Sequence, residues 1–350
     1  MIRDKKAILR VALALAFIFL FTGGVHELRK TSASPDFPCT DGVAISKEIS
    51  DKDVAIEIAA GATGSDIAAQ LFERGVVKSA RAFFGVAVGD PRAAKIAPGS
   101  HIVSPQLCAK YALEQLLDNK RIAGLINIVE GEWNSEVFQD MVKVGYSQDD
   151  IKEAIAQLKL PAGFKSLEGL LFPAQYSFAK GTSAATAIAT MVKRAQNELK
   201  SAGILESTGK FSAQEMLTIA SIIQAEGGLQ DFTKVSRVIR NRLEKGMPLQ
   251  MDSTVHFAQK LRGNIFLSTK STLLNSPYNT YRKYGLPPGP IGNPGRQALL
   301  AAVNPEPGDW IYFITVAPND TRFTSSFEEF DRWKVEYKKN LRAGLFESRE

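Results

Sequence analysis

Ser212-Ala213-Gln214-Glu215-Met216-Leu217-Thr218-Ile219-Ala220-Ser221-Ile222-Ile223-Gln224-Ala225-Glu226-Gly227-Gly228 reads as one helix with both ends marked. Ser212 can accept the N–H three residues on while Glu215 reaches back, the capping box that opens a helix. Met216, Leu217, Ile219, Ile222 and Ile223 supply its apolar positions, and the glycine pair stops it. Glu226 falls in the last turn, with Ile223, Ile222 and Ile219 at i−3, i−4 and i−7, so its carboxyl continues an apolar stripe. Such a glutamate either turns out to water at a frayed end or stays among the isoleucines. If it stays, desolvation and the negative end of the helix dipole both favour the protonated form. A carboxyl that is neutral near neutral pH is what protonation of a glycosidic oxygen requires.

Working outward, 350 residues exceed what one core usually organises, so two or three domains are expected. The chain is 45% apolar and 23% charged, the composition of a folded protein. Its net charge of +6 suits anionic surroundings. No Arg/Lys patch with interleaved aromatics occurs, so nucleic acid is not expected. His26, His101, His256, Cys39 and Cys108 show no metal-ligand spacing, and no metal or other cofactor is expected.

Arg3, Lys5, Lys6 and Arg10 precede an apolar run through Val25 that, counted from Ala7, just reaches the roughly 17–20 residues of a membrane span. The charges predict a cytoplasmic N-terminus and an extracytoplasmic remainder at the cell (inner) membrane; a cleaved signal peptide is the alternative. Cys39 and Cys108 then both lie on the oxidising side, where a disulfide is one of their possible states.

Val54, Ile56 and Ile58 alternate as a strand does; Gly61 breaks it, Ser65 can cap a helix carrying Ile67, Leu71 and Phe72, and Gly75 ends it. The pattern returns seventy positions later in Ile126, Ile128, Gly131, Ser135, Val137, Met141 and Gly145. One common offset suggests two copies of a strand–helix unit.

The first copy, over residues 54–118, resembles the LysM-like module of cell-wall proteins. Ile58-Ala59-Ala60-Gly61, Ile67-Ala68-Ala69-Gln70-Leu71 and Gly75-Val76-Val77 match its pattern. The resemblance implies glycan contact; a plain spacer is the alternative. Five further blocks, in order, resemble the endolytic murein transglycosylase (YceG-like) family. They are Ser166–Pro173 with Tyr176, Leu217–Glu226, Asn241–Val255, Ser276–Gly295 and Asn304–Pro305 before the strand-like Trp310–Ile314. The family's C-terminal histidine elements have no histidine here, where Arg322-Phe323 and Phe330-Asp331 stand.

That resemblance implies an α+β chain: a transmembrane anchor (1–29), a linker (30–52), the LysM-like αβ module (53–120), a second repeat and connector (121–160) and a larger mixed α/β catalytic domain (161–345). It implies an endolytic lytic transglycosylase that cuts nascent peptidoglycan strands between N-acetylmuramic acid and N-acetylglucosamine and leaves 1,6-anhydro ends. Glu226 carries over as the catalytic acid and base. Many members have a glutamate where Gln224 stands, so the proton work falls to position 226. Gln250, Asp252, Asn279, Asn304, Glu168 and Tyr176 are the candidate substrate-binding groups. Helix capping rivals that role for Asp252, turn chemistry rivals it for Asn279, and a structural hydrogen bond rivals it for Glu168 and Tyr176. Glycan strands are the expected substrate and a peptidoglycan synthase the implied partner. A water-using muramidase and a catalytically silent glycan-binding scaffold are the competing readings.

Overall fold

The computed structural model describes residues 34–39, 49–59, 61–178, 181–206, 209–262 and 267–346. The expected span at 7–25 lies outside them, and none of the described helices is long and apolar enough to cross a membrane. The chain forms two compact units, 1–124 with 177–180 and 125–176 with 181–350. Residues 125–160, most of the expected second repeat and connector, are therefore part of the larger unit.

The smaller unit holds strand β1 (Val54–Ile58), helices α1 (Gly64–Glu73) and α2 (Ala80–Gly89), β2 (Gly99–Val103), α3 (Ala109–Leu117) and β3 (Ile122–Ala123). The strands form an antiparallel sheet in the order β1-β2-β3, with Ile56 opposite His101. Alternation puts Ile56 and Ile58 on one face, where they meet Ile67, Leu71, Val76, Phe83, Leu113 and Leu116 in a closed core. The cap of α1 is Thr63, bonded reciprocally with Asp66, and not Ser65. Thr63 wins because it is the last extended residue, two positions earlier than the polar pattern suggested.

Residues 34–39, expected as part of the linker, are pinned. Cys39 and Cys108 form a disulfide, Asp36 accepts the Ala109 N–H at the start of α3 (3.1 Å), and Ser79 donates to the Pro35 carbonyl (2.8 Å). A bridge across 69 residues removes enough unfolded-chain entropy to contribute about 4 kcal/mol. Arg121 and Asp53, both with enclosed side chains, pair at 3.0 Å just before β3 and β1.

The larger unit opens with β4 (Ile126–Asn127), α4 (Asn134–Lys143) and α5 (Gln148–Gln157), followed by β5 (Gln175–Tyr176), which pairs with β4. The helix of the second repeat, α4, starts and ends seventy residues after α1. Its cap position is Trp133, not Ser135. Next come α6 (Ala184–Ser201), α7 (Ala213–Glu226), α8 (Phe232–Glu244), α9 (Asp252–Gln259) and α10 (Arg296–Val303). A hairpin of β6 (Tyr312–Ala317) and β7 (Asp320–Thr324) leads into α11 (Phe327–Arg342). Ser326 caps α11, and Arg322, where the family's histidine element would fall, ties the hairpin to it through Asp320 and Glu336 (2.7 and 2.8 Å).

Helix α7 runs through the core of this unit. Leu217, Ile219, Ala220, Ile222 and Ile223 are all at most 1% exposed, and Thr218 and Ser221 are buried with them, so the helix is enclosed on every side along its middle turns. The expected Ser212–Glu215 capping box is present. At the other end Gly227 is extended, not left-handed. It ends the helix by letting Phe232 and Val235 of α8 approach to where a Cβ would sit at 3.2 Å.

Candidate active site

Three connections fix the surroundings of the α7 tip. First, the Gly285–Gly295 loop is sewn along the helix. Ser221 Oγ accepts the Ile291 N–H (3.0 Å), and Gln224 Oε1 accepts that of Gly295 (3.0 Å). Enclosed Asn293 donates to the Glu132 carbonyl (2.8 Å) and accepts from Leu171 N–H (2.9 Å). Any side chain at Gly292 would strike the Gly131 carbonyl, and one at Gly169 would strike Pro290. The loop is thus a rigid wall.

Second, Arg242 on α8 is almost wholly buried and gives its donors to backbone carbonyls, those of Ile311 (2.6 Å) and Leu249 (2.5 Å). These bonds hold the stretch leading into α9. Gln250 there takes a left-handed backbone (φ 50°), a conformation that costs a non-glycine residue on the order of 1 kcal/mol. The turn is held by Thr280, whose carbonyl accepts the Gln250 N–H (3.1 Å) and whose hydroxyl accepts that of Met251 (3.0 Å).

Third, that turn aims the N-terminus of α9 at the C-terminus of α7. Glu226 Oε1 accepts from both the N–H (3.1 Å) and the Oγ (2.5 Å) of Ser253. Glu226 is partly exposed and forms no ion pair among the described residues. Burial raises its carboxyl above the usual range; the Ser253 bonds oppose the rise, the Asp252 charge adds to it, and the Arg242 charge opposes it. The balance favours the protonated acid.

The other sequence candidates separate into near and remote. Asp252 opens α9 beside Ser253; it accepts from Tyr281 Oη, and Met251 holds the cap position, so its capping role is corrected. Gln250 is exposed, and no hydrogen bond engages its side chain among the described residues. Asn279, fully buried, donates to Thr272 and Leu274 carbonyls (3.0 and 2.7 Å) and accepts from Tyr281 N–H (3.0 Å). It cannot meet a substrate; it folds the loop that presents Thr280. Tyr176 is buried with its hydroxyl on the Phe172 carbonyl (2.7 Å), and Asn304 caps α10 on the Leu300 carbonyl (3.2 Å). Tyr176 thus spends its hydroxyl on a structural bond, whereas Asn304 stays exposed.

Glu168 belongs to a second cluster. It accepts the Asn134 N–H (3.1 Å) at the start of α4, and burial pushes its carboxyl up to about 7. Around it are Trp133, Phe257 and Tyr278 with ring centroids 5.5 and 5.0 Å apart, and Arg262, which lies over Trp133 (4.6 Å) and pairs with Glu136 (2.7 Å). Phe257 is one turn beyond Ser253 on α9, so the aromatic cluster begins about 5–6 Å along that helix from the acid. A cavity of about 510 Å³, lined by Glu130, Glu132, Glu136, Asp140 and Arg262 among others, lies beside α4 and does not include Glu226.

The YceG-like family model matches residues 56–336. The chain belongs to the YceG-like family. The endolytic murein transglycosylase of Bacillus subtilis (strain 168) is 37% identical over 173 residues, 49% of this chain and 48% of that protein. Its counterpart in Streptococcus pneumoniae (serotype 2, strain D39) is 33% identical over 177 residues, 49% of this chain and 32% of that protein. The match thus spans about half or less of those relatives' length. The crystal structure of a YceG-like protein from Listeria monocytogenes superposes with TM-score 0.55 at 30% identity, covering 81% of this chain and 99% of that one. Within this YceG-like chain the matched region contains every element that holds Glu226. Ser253, Tyr281, Trp133 and Phe257 escaped the sequence reading. Only the Ser253/Phe257 spacing, one helical turn apart behind Asp252, could have singled any of them out.

Proposed function

We propose that this chain is an endolytic peptidoglycan lytic transglycosylase, with Glu226 as its acid and base. The observation that carries the reading is the carboxyl at the α7 tip: held on one oxygen by Ser253, unpaired with any described cation and biased towards its protonated form. It would protonate the oxygen between N-acetylmuramic acid and N-acetylglucosamine as that bond breaks. As a carboxylate it would then take the proton of the muramyl C6 hydroxyl as that oxygen closes on C1. The Asp252 carboxylate, close enough for its charge to act on Glu226, supports the positive charge that develops on the sugar. Gln250, exposed and strained, is the better-placed of the remaining polar candidates to meet the glycan.

Asp252 also supplies the second carboxylate that a water-using muramidase needs, so product ends decide between the two. Uncrosslinked glycan is digested with the full chain and the fragments are weighed by mass spectrometry. Anhydro-muramyl ends are expected; reducing ends alone would move the protein to hydrolysis, and no cleavage would leave a glycan-binding scaffold.

The reading extends to place and partners. Residues 7–25, behind Arg3, Lys5 and Lys6 and with Arg10 near their start, support a single-pass anchor in the cell membrane. The alternating strand and glycine pattern of residues 54–77 supports a LysM-like module that touches glycan. Anchoring beside the membrane would put Glu226 near newly made strands, hence near a peptidoglycan synthase. Membrane fractionation of the full chain and of a chain lacking residues 7–25 tests the anchor: only the first should sediment with membranes.

A further inference from the structure

The two oxygens of the Glu226 carboxyl have different surroundings. Oε1 accepts two hydrogen bonds from one residue, the N–H of Ser253 at 3.1 Å and its Oγ at 2.5 Å. Oε2 receives no donor among the described residues, and it is not one of the enclosed, unpartnered side-chain atoms, so it keeps access to solvent. In a carboxylic acid the carbonyl oxygen is the stronger acceptor and the hydroxyl oxygen a weak one. Two donors converging on Oε1 make it the carbonyl oxygen.

We propose that Ser253 is a positioning residue that places the transferable proton of Glu226 on Oε2, facing the substrate side. This rests on the transglycosylase reading above and specifies it. The Oε2–H bond breaks as the proton moves to the glycosidic oxygen, and the pair of the C–O bond leaves with that oxygen. The proton released by the C6 hydroxyl on ring closure returns to Oε2, and the acid is regenerated. While Glu226 is a carboxylate, the two Ser253 donors carry part of its charge.

The groups facing Glu226 from the packed elements are Asp252 and Ser253 on α9, Arg242 on α8 and Tyr281 in the loop after Asn279. Tyr281 stays protonated, since burial first and then its bond to Asp252 both raise its hydroxyl. Neither Arg242 nor Tyr281 changes charge over the acid's working range. The Ser253 hydroxyl therefore has a readable effect. Losing a hydrogen bond to a charged acceptor is worth about a tenfold change or more, and it must raise the Glu226 midpoint, because the ionised form accepts from the hydroxyl more strongly than the carbonyl of the neutral acid does and so loses more.

The test uses the full chain carrying ¹³C-labelled glutamate carboxyls. Ser253→Ala keeps the backbone N–H and loses the hydroxyl, and Ser253→Thr restores a hydroxyl. The Glu226 resonance, assigned by its loss in Glu226→Gln, is titrated in each, and pH–rate profiles are taken from anhydro-end formation. Ser253→Ala should raise the titration midpoint by about one unit, shift the alkaline limb of the profile with it, and lower kcat about tenfold with KM within twofold. Ser253→Thr should recover both. An unmoved midpoint in a Ser253→Ala protein with an unchanged melting temperature would overturn the proposal, as would equal losses in Ser253→Ala and Ser253→Thr. A wild type that forms no anhydro ends would sink the catalytic reading alone, because the titration still reports the hold of Ser253 on the acid.

Discussion

Helix α7 carries a glutamate at each end, and the two are opposites. Glu215, in the first turn, accepts both the N–H and the hydroxyl of Ser212 (2.8 and 2.7 Å) at the positive end of the helix dipole. Its charge supports the helix that holds it. Glu226, in the last turn, sits at the negative end of the same dipole against buried isoleucines, and burial favours its neutral form. The helix works against its ionisation. Its only donors among the described residues come from another helix, across 27 residues of chain. One side chain, two positions on one element: the first stabilises, the second is an acid kept where ionisation is costly. Natural proteins tolerate that cost where chemistry requires it.

The contrast breaks most visibly if Glu226 loses its proton chemistry. Glu226→Gln should reduce anhydro-end formation by about 10³-fold or more, with KM little changed, since an amide accepts from Ser253 as well as an acid does but cannot donate a proton. The same variant should be the more stable protein at alkaline pH. A carboxyl whose folded-state pKa is raised supports folding fully below its unfolded value and loses that advantage as pH rises through the folded one. A Gln variant that retained a tenth of the activity would return Glu226 to the class of Glu215, a helix-end residue.

Glu168 is intermediate between the two, a buried carboxyl at a helix N-terminus. Burial takes it to about 7 despite the Asn134 N–H. Wild-type stability should therefore fall between about pH 4.5 and 7 relative to Glu168→Gln, by about 2 kcal/mol once partial exposure is allowed for. Chemical denaturation of both proteins at pH 4.5, 6 and 8 measures it. A constant difference across the three would show that Glu168 titrates normally.

Glu215→Ala should cost about 1 kcal/mol of stability, the value of a reciprocal cap, and leave the activity per folded molecule within twofold. Urea midpoints and specific activity read the two halves. A large loss of turnover at unchanged stability would mean that the two ends of α7 are coupled, not separate.

How much of this was legible in the sequence follows the range of the interactions. The capping box, the apolar stripe and the position of Glu226 are local and were readable from residues 212–228. The seventy-residue offset also held, since α1 and α4 begin and end in step. The caps did not. Thr63 and Trp133 occupy the positions assigned to Ser65 and Ser135, because a cap is set by where the backbone leaves the extended region and not by which nearby residue is polar. Asn279 was misassigned for a related reason. Its motif marks it as special, but whether its amide turns to substrate or to its own loop is decided by carbonyls five and seven residues back. The role of Ser253 was not readable because its partner is on another helix: the spacing to Phe257 marks the helix face and not the carboxyl that the serine holds.

The smallest effect expected is at Gln224, and it sharpens the contrast most. Gln224 and Glu226 share the last turn of α7 but face different neighbours. Gln224 Oε1 accepts the Gly295 N–H (3.0 Å), a bond that a carboxylate would make equally well. Glu130 already crowds Gly295, with a carboxylate oxygen 1.9 Å from where a Cβ would stand. Gln224→Glu would therefore add a second negative charge beside Glu130 and gain no proton route, since it points away from the Ser253 side. The variant should lose about 0.5–1 kcal/mol of stability at neutral pH, less at high salt, and keep its activity within about threefold. Adding Glu130→Gln should recover most of that stability if the repulsion is the cause. Were Gln224→Glu instead to restore activity to a Glu226→Gln protein, the acid would be a property of the helix tip and not of the one position that Ser253 holds.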